Sequence, residues 1–263
     1  MLFPISDDDR KLDGPAWATI LILAANVLVF AYQLAEPSFT YGWSVVPEEL
    51  TSGRDLVNSQ PIPEEDPTVQ ITSAQQIPQR PGPGPAPLVY LTVLSAMFMH
   101  GGWMHIGGNM LYLWIFGDNV EHRFGTGRFV AFYLVSGIVA TLVQVAMMPD
   151  GLVPNLGASG AIAGVLGAYL VLFPRNKVNA VFFFRVVSVP AVIVLGLWIA
   201  FQFVNQWGST AATGDTGGVA YGAHIGGFLA GMALALVARM TGVKEQSSVL
   251  SRSMASPTNR RLW

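Results

Sequence analysis

Cysteine is absent, which excludes disulfides and thiolate metal sites. Charge is scarce as well. Asp, Glu, Lys and Arg make up 11% of the chain, where soluble domains carry roughly 25%. So little charge cannot cover a globular surface in water. The net charge of −2 leaves no basic surface for a nucleic acid. The opening run Met1-Leu-Phe-Pro-Ile-Ser-Asp-Asp-Asp-Arg-Lys is too acidic for the basic end of a signal peptide, so the first apolar segment is expected to stay as a helix.

What is abundant is hydrophobic residues, 52% of the chain, and they cluster. Pro15 to Ala35 carries no charge, and at ~1.5 Å per residue a helix there crosses a hydrocarbon core of ~30 Å. Six such spans are read: Pro15–Ala35, Trp103–Val120, Phe129–Met148, a short Ser159–Phe173, Val186–Trp207 and Val219–Ala238. The expectation is an all-α, polytopic membrane protein with its membrane domain over 15–240. Residues 1–14 and 241–263 form polar ends. Residues 36–102 form a long external loop, Pro/Gly-rich near 81–87, whose prolines forbid a continuous helix. Within it, Leu88 to Met99 is apolar but too short to span, so an interfacial or re-entrant segment is expected.

The basic residues orient the chain. With six spans, twelve of the fourteen fall on the side of the two ends, and only Arg54 and Arg80 on the other. The positive-inside rule then places both ends in the cytoplasm. A bacterial inner membrane is the expected location.

Polar residues inside membrane helices call for a reason. His105, Asn109, Ser159 and His224 all fall near the external ends of spans two, four and six, at similar depth. His105 and Asn109 are spaced i, i+4 and share a helix face. Ser159 sits in Gly157-Ala-Ser-Gly160, where glycines permit a tight turn and close approach. Span four is only about 15 residues, roughly 22 Å, so Ser159 is expected below the outer surface, reached by a loop that dips inside protein. Gly227-x-x-x-Gly231 in span six, and Gly160 with Gly164 or Ala163 with Gly167 in span four, are small-residue faces that let helices touch. Such contact would set Ser159 beside His224, where a histidine can take the hydroxyl proton. His105, Asn109 and the Ser159 backbone N–H are candidate oxyanion donors.

The motifs Phe98-Met-His-Gly-Gly-Trp-Met-His-Ile-Gly-Gly-Asn109, Glu121-His-Arg-Phe-Gly125, Gly157-Ala-Ser-Gly-Ala161 and Ala223-His-Ile-Gly-Gly227 closely resemble those of rhomboid intramembrane serine proteases, in the family's order, over about Leu88 to Arg239. The resemblance implies a six-helix fold, Ser159 as nucleophile, His224 as general base with no third acid, and His105 and Asn109 in the oxyanion hole. It also implies a structural His100, supporting roles for Gly157, Glu121 and Gly227, single-pass membrane proteins as substrates, and no metal or nucleotide. There are two departures. Leu91-Thr92 stands where many relatives have Trp-Arg, which leaves Glu121 without its usual partner. Ala163 stands where an aromatic often packs on the catalytic histidine.

The plainer readings are that Ser159 is a small helix-contact residue, His224 a core histidine and Asn109 interhelical glue. His122 is expected to be solvated. Gln144 is read either as a water-holding residue or as packing. The rival functions are a rhomboid-like protein that binds membrane clients without cutting, and a transporter with a broken helix. No charged residue lies within spans two to six away from their ends, which argues against the transporter. There is no His-Glu-x-x-His for zinc.

Overall fold

A computed structural model describes residues 3–7, 14–54, 87–211 and 219–241. It is a helical bundle with one small sheet. A strand β1 (Phe3–Ser6) precedes α1 (Trp17–Ala35), and two short helices follow, α2 (Pro37–Trp43) and α3 (Pro47–Ser52). Leu88 to Phe98 forms a run of 3-10 turns around a single α-turn, α4 (Thr92–Ser95). Then come α5 (Trp103–Phe124), α6 (Thr126–Met147) and α7 (Ser159–Leu172), a hairpin of β2 (Lys177–Phe182) and β3 (Arg185–Pro190), and finally α8 (Ala191–Ala211) and α9 (Tyr221–Met240).

Among the described residues, α1, α6, α9 and residues 191–208 of α8 are long and apolar enough to cross a membrane. Helix α5 has the length, at 22 residues, but its inward polar groups lower its hydropathy. Helix α7 has only 14 residues and lies in the centre, with Gly160 to Tyr169 all buried. The chain is therefore a multi-pass helical membrane protein, a six-helix bundle around a short central fourth helix, as the hydropathy pattern predicts.

The packing of α7 decides where everything else sits. Its most extensive partner is α9, and glycines make that contact backbone to backbone. A Cβ on Gly227 would overlap the Gly160 carbonyl oxygen, and one on Gly231 would overlap that of Gly164. A Cβ on Gly167 would overlap the Phe228 carbonyl oxygen. Side-chain volume between the two helices is replaced by close van der Waals contact, the force that holds helices together where lipid removes the hydrophobic drive. The surrounding core mixes aliphatic side chains such as Leu113, Leu166 and Leu195 with large aromatics: Phe116, Phe129, Tyr133, Tyr169 and Phe228 are fully buried.

Several expectations need correction. Val186 to Pro190 is strand, not the start of span five; Val186, Val187 and Val189 are β-branched and pair with β2 in register from Lys177↔Pro190 to Phe182↔Arg185. The polar start of the chain contributes β1, which pairs antiparallel with β2 to give a sheet of order β1-β2-β3. Proline-headed α2 and α3 occupy part of the long loop. Its 55–86 segment, with most of the Pro/Gly run, and the 242–263 tail lie outside the described residues. His122 is half-buried and has partners within the protein. It sits in the last turn of α5, with Nδ1 2.8 Å from the Asp118 carbonyl oxygen and Nε2 3.1 Å from that of Gly14.

Candidate active site

Helix α7 starts late, so Ser159, its first residue, lies inside the bundle. The neighbouring α6 has 22 residues, roughly 33 Å at 1.5 Å each, against roughly 21 Å for α7. The loop from Met148 to Ala158 descends to meet Ser159 and is held by backbone bonds on the way. Asn155 and Val45 exchange N–H···O bonds of 2.6 and 2.9 Å, and the Gly157 N–H donates to the Ala96 carbonyl at 2.8 Å. These bonds tie the irregular backbone to the 3-10 turn after α4 and to the chain before α3, the kind of internal partners that the membrane interior requires. Gly157 has φ +132°, and a Cβ there would stand 2.8 Å from His105 Nε2. Both the backbone and the space admit only glycine.

Helix α9 brings His224 down beside Ser159. His224 Nε2 is 2.9 Å from Ser159 Oγ. The other ring nitrogen, Nδ1, is 2.8 Å from Gln202 Oε1 on α8. The ring also lies against Trp198, with centroids 5.8 Å apart and planes at 39°, and edge-on to Tyr221 at 6.4 Å. Where Ala163 leaves the expected aromatic missing, Trp198 packs on the histidine from a different helix. Neither Gln202 nor Trp198 was singled out from sequence. The available signal was an amide inside a largely apolar span, blurred by the nearby Asn205 and Gln206.

His105 and Asn109 project from the first turns of α5 and line, together with Ser159, His224 and Trp198, a cavity of about 900 Å³. Asn109 is 8% exposed, and its Nδ2 donor has no partner among the described residues. His105 Nδ1 accepts from the Gly101 N–H at 3.3 Å. The cap residue of α7, Ala158, offers no side-chain acceptor, so the first-turn N–H groups are not taken up by one. Gln144, at the cavity edge, accepts from the Ala223 N–H at 3.1 Å, which ties the first turn of α9 to α6.

His100 stands behind the site. Its backbone exchanges bonds with the Gln33 amide, N–H to Oε1 at 2.9 Å and Nε2 to its carbonyl at 3.2 Å, and its ring meets His105 edge-on at 5.2 Å. Burial first, then neighbouring His105, lower its pKa to about 4, so at neutral pH it is an uncharged packing group. Glu121 lies at the other end of α5 from His105 and Asn109 and has a complete set of partners. It accepts from the N–H of Ala18 at 2.9 Å and of Thr19 at 2.7 Å, and from the hydroxyls of Thr19 and Thr126, both at 2.9 Å. A carboxylate on α5 thereby caps the N-terminus of α1. Gly227, as described above, holds α9 against α7. No cluster of three or more His, Cys, Asp or Glu suited to a metal occurs among the described residues.

A family model for the rhomboid domain matches residues 88–241, more than half of the chain. Rhomboid protein 1, mitochondrial, of Saccharomyces cerevisiae is 33% identical over 146 residues, covering 54% of this chain and 40% of its own length. Rhomboid protease GluP of Bacillus subtilis is 33% identical over 144 residues, 55% of this chain and 26% of the relative. RHOMBOID-like protein 5 of Arabidopsis thaliana is 32% identical over 153 residues, 55% and 43%. The chain spans less than half the length of these relatives. The match takes in the central helix, the glycine contacts and all four residues gathered at the cavity, and this chain belongs to the rhomboid family.

Proposed function

We propose that this chain is an intramembrane serine endopeptidase that cuts transmembrane segments of single-pass membrane proteins. The observation that carries the reading is the 2.9 Å contact of His224 Nε2 with Ser159 Oγ at the wall of a cavity inside the bundle. A serine hydroxyl is a weak nucleophile until a neighbouring base takes its proton, and this pair is spaced for that transfer.

In the proposed reaction, Ser159 Oγ forms a bond to the scissile carbonyl carbon while its proton passes to His224 Nε2. The carbonyl π electrons move to oxygen. The oxyanion is received by Asn109 Nδ2, His105 and the Ser159 backbone N–H. Collapse of the tetrahedral species breaks the C–N bond, and the imidazolium returns its proton to the leaving amine. Water then adds to the acyl-enzyme with His224 again as base, and Ser159 is released. Every donor comes from the chain itself. The distribution of basic residues supports an orientation with both ends cytoplasmic and the cavity facing outward; the membrane proposed is a bacterial inner membrane.

The test is cleavage of a single-pass model substrate in detergent or liposomes, with Ser159→Ala and His224→Ala alongside and folding checked by thermal unfolding. Wild type is expected to cut, and each variant to lose activity by a factor of about 10⁴ or more. Cutting that survives in Ser159→Ala overturns the assigned nucleophile. A folded wild type that binds but never cuts several substrates favours a non-catalytic client-binding protein.

A further inference from the structure

The geometry points to Gln202 as a positioning residue that fixes which nitrogen of His224 carries the proton; this rests on the protease reading above. The argument begins with the amide. Its oxygen and nitrogen are nearly equal in size, so their partners decide the orientation. Nε2 faces the Trp198 carbonyl oxygen one turn back on α8, at 3.5 Å, which only a donor can use. That places Oε1 toward His224 Nδ1 at 2.8 Å. An acceptor at that distance requires Nδ1 to be the protonated nitrogen. Nε2 is then the unprotonated one, turned to the Ser159 hydroxyl.

Which nitrogen of a neutral imidazole is protonated depends on the bond the other one makes. In triads with an aspartate the carboxylate sets the tautomer and also stabilises the imidazolium. A neutral amide does the first, and stabilises the imidazolium only through its hydrogen bond, without the carboxylate's charge. Gln202 is 5% exposed, so water does not compete freely for Nδ1. Trp198, from the same helix, packs at a tilt against the ring and narrows its freedom to rotate. One face of α8 thus performs two tasks: it sets the tautomer and it holds the plane of the base.

The test uses the full-length chain and the substrate above, with Gln202→Leu, which keeps the bulk without an acceptor, and Gln202→Glu, which keeps the acceptor and adds charge. Gln202→Leu is expected to lower kcat roughly ten- to a hundredfold, a part of what general-base catalysis supplies, with KM within about twofold. Gln202→Glu is expected to keep most of kcat at high pH. The carboxylate favours the imidazolium, so the acid limb of its pH profile moves up by about one unit.

A readout independent of turnover is nitrogen NMR of histidine-labelled protein, which has only four histidines, with His224→Ala assigning the signal. Wild type should show a single Nδ1–H tautomer and Gln202→Leu a mixture. If Gln202→Leu does not fold, Gln202→Glu and the wild-type tautomer carry the test. An Nε2–H tautomer in wild type, or an acid limb unmoved in Gln202→Glu, overturns the assignment. Activity that survives in Ser159→Ala instead overturns the protease reading itself, whatever Gln202 does.

Discussion

At the residue scale, the site is built from groups whose hydrogen bonds are complete on one side and open on the other. His224 is satisfied at Nδ1 and presents Nε2. Asn109 is buried with its Nδ2 donor unpartnered among the described residues, and a buried amide in that condition loses about 1–3 kcal/mol unless something accepts from it. If an oxyanion is that acceptor, Asn109→Ala should lower kcat by about 10²–10³ while KM changes little; an equal loss in substrate binding and none in kcat would assign it to binding alone. The four residues of this cluster were legible because their chemistry is costly in lipid and their helical positions share one depth. Gly157 was legible as a turn glycine. That its missing Cβ makes room for His105 became visible only when α5 and the descending loop were brought together. Gln202 was not legible: a glutamine in an apolar helix announces a partner, not which one, and its histidine is 22 positions away.

At the scale of elements, the dyad is made by a contact between two backbones. Ser159 and His224 belong to α7 and α9, and the glycines at 160, 164, 227 and 231 set how close these helices lie. Gly227→Val should therefore force them apart, destabilise the fold by about 3 kcal/mol, the upper end for overpacking, and abolish cleavage. Gly196→Ala, where a Cβ meets nothing within 4 Å, should be neutral or slightly stabilising, as for an alanine replacing glycine in a helix. Thermal unfolding of both variants in one detergent checks this. The small-xxx-small faces were readable as spacing. The boundaries of α8 were not, since a run of valines before it serves a strand as well as a helix. Helix α8 is also the least enclosed of the spanning helices, 22% buried against 44% for α6, yet it carries both residues that hold His224. Sequence reading weighs a lipid-facing helix as a wall, because its apolar periodicity reports only what it turns to lipid.

At the scale of the whole molecule, the end opposite the site is closed by contacts between distant parts of the chain. Asp7 follows β1 and accepts from the Tyr169 hydroxyl at 2.5 Å and from Asn119 Nδ2 at 2.7 Å, while Asn179 Nδ2 donates to Ser6 Oγ at 3.0 Å. One carboxylate thus joins the ends of α5 and α7 to the first strand. Asp7→Ala should lower stability by about 1–3 kcal/mol, seen as a lower thermal midpoint, with kcat of the remaining folded protein nearly unchanged because the dyad lies at the other end of α7. A large fall in kcat at constant stability would contradict this division. None of these contacts was readable in advance, since polar residues near a chain end look the same whether they pair or meet water.

The pairing of β1 with β2 also sets a schedule for biogenesis. Ser6 and Asn179 are 173 positions apart, and at 5–20 residues per second a ribosome needs on the order of 10 to 35 s to make the second after the first. For that interval Phe3 to Ser6 waits without its partner strand while α1, α5, α6 and α7 are being made and inserted. The sheet can form only after α7 has been synthesised, so its closure belongs to a stage at which the chain for the centre of the bundle has already been made.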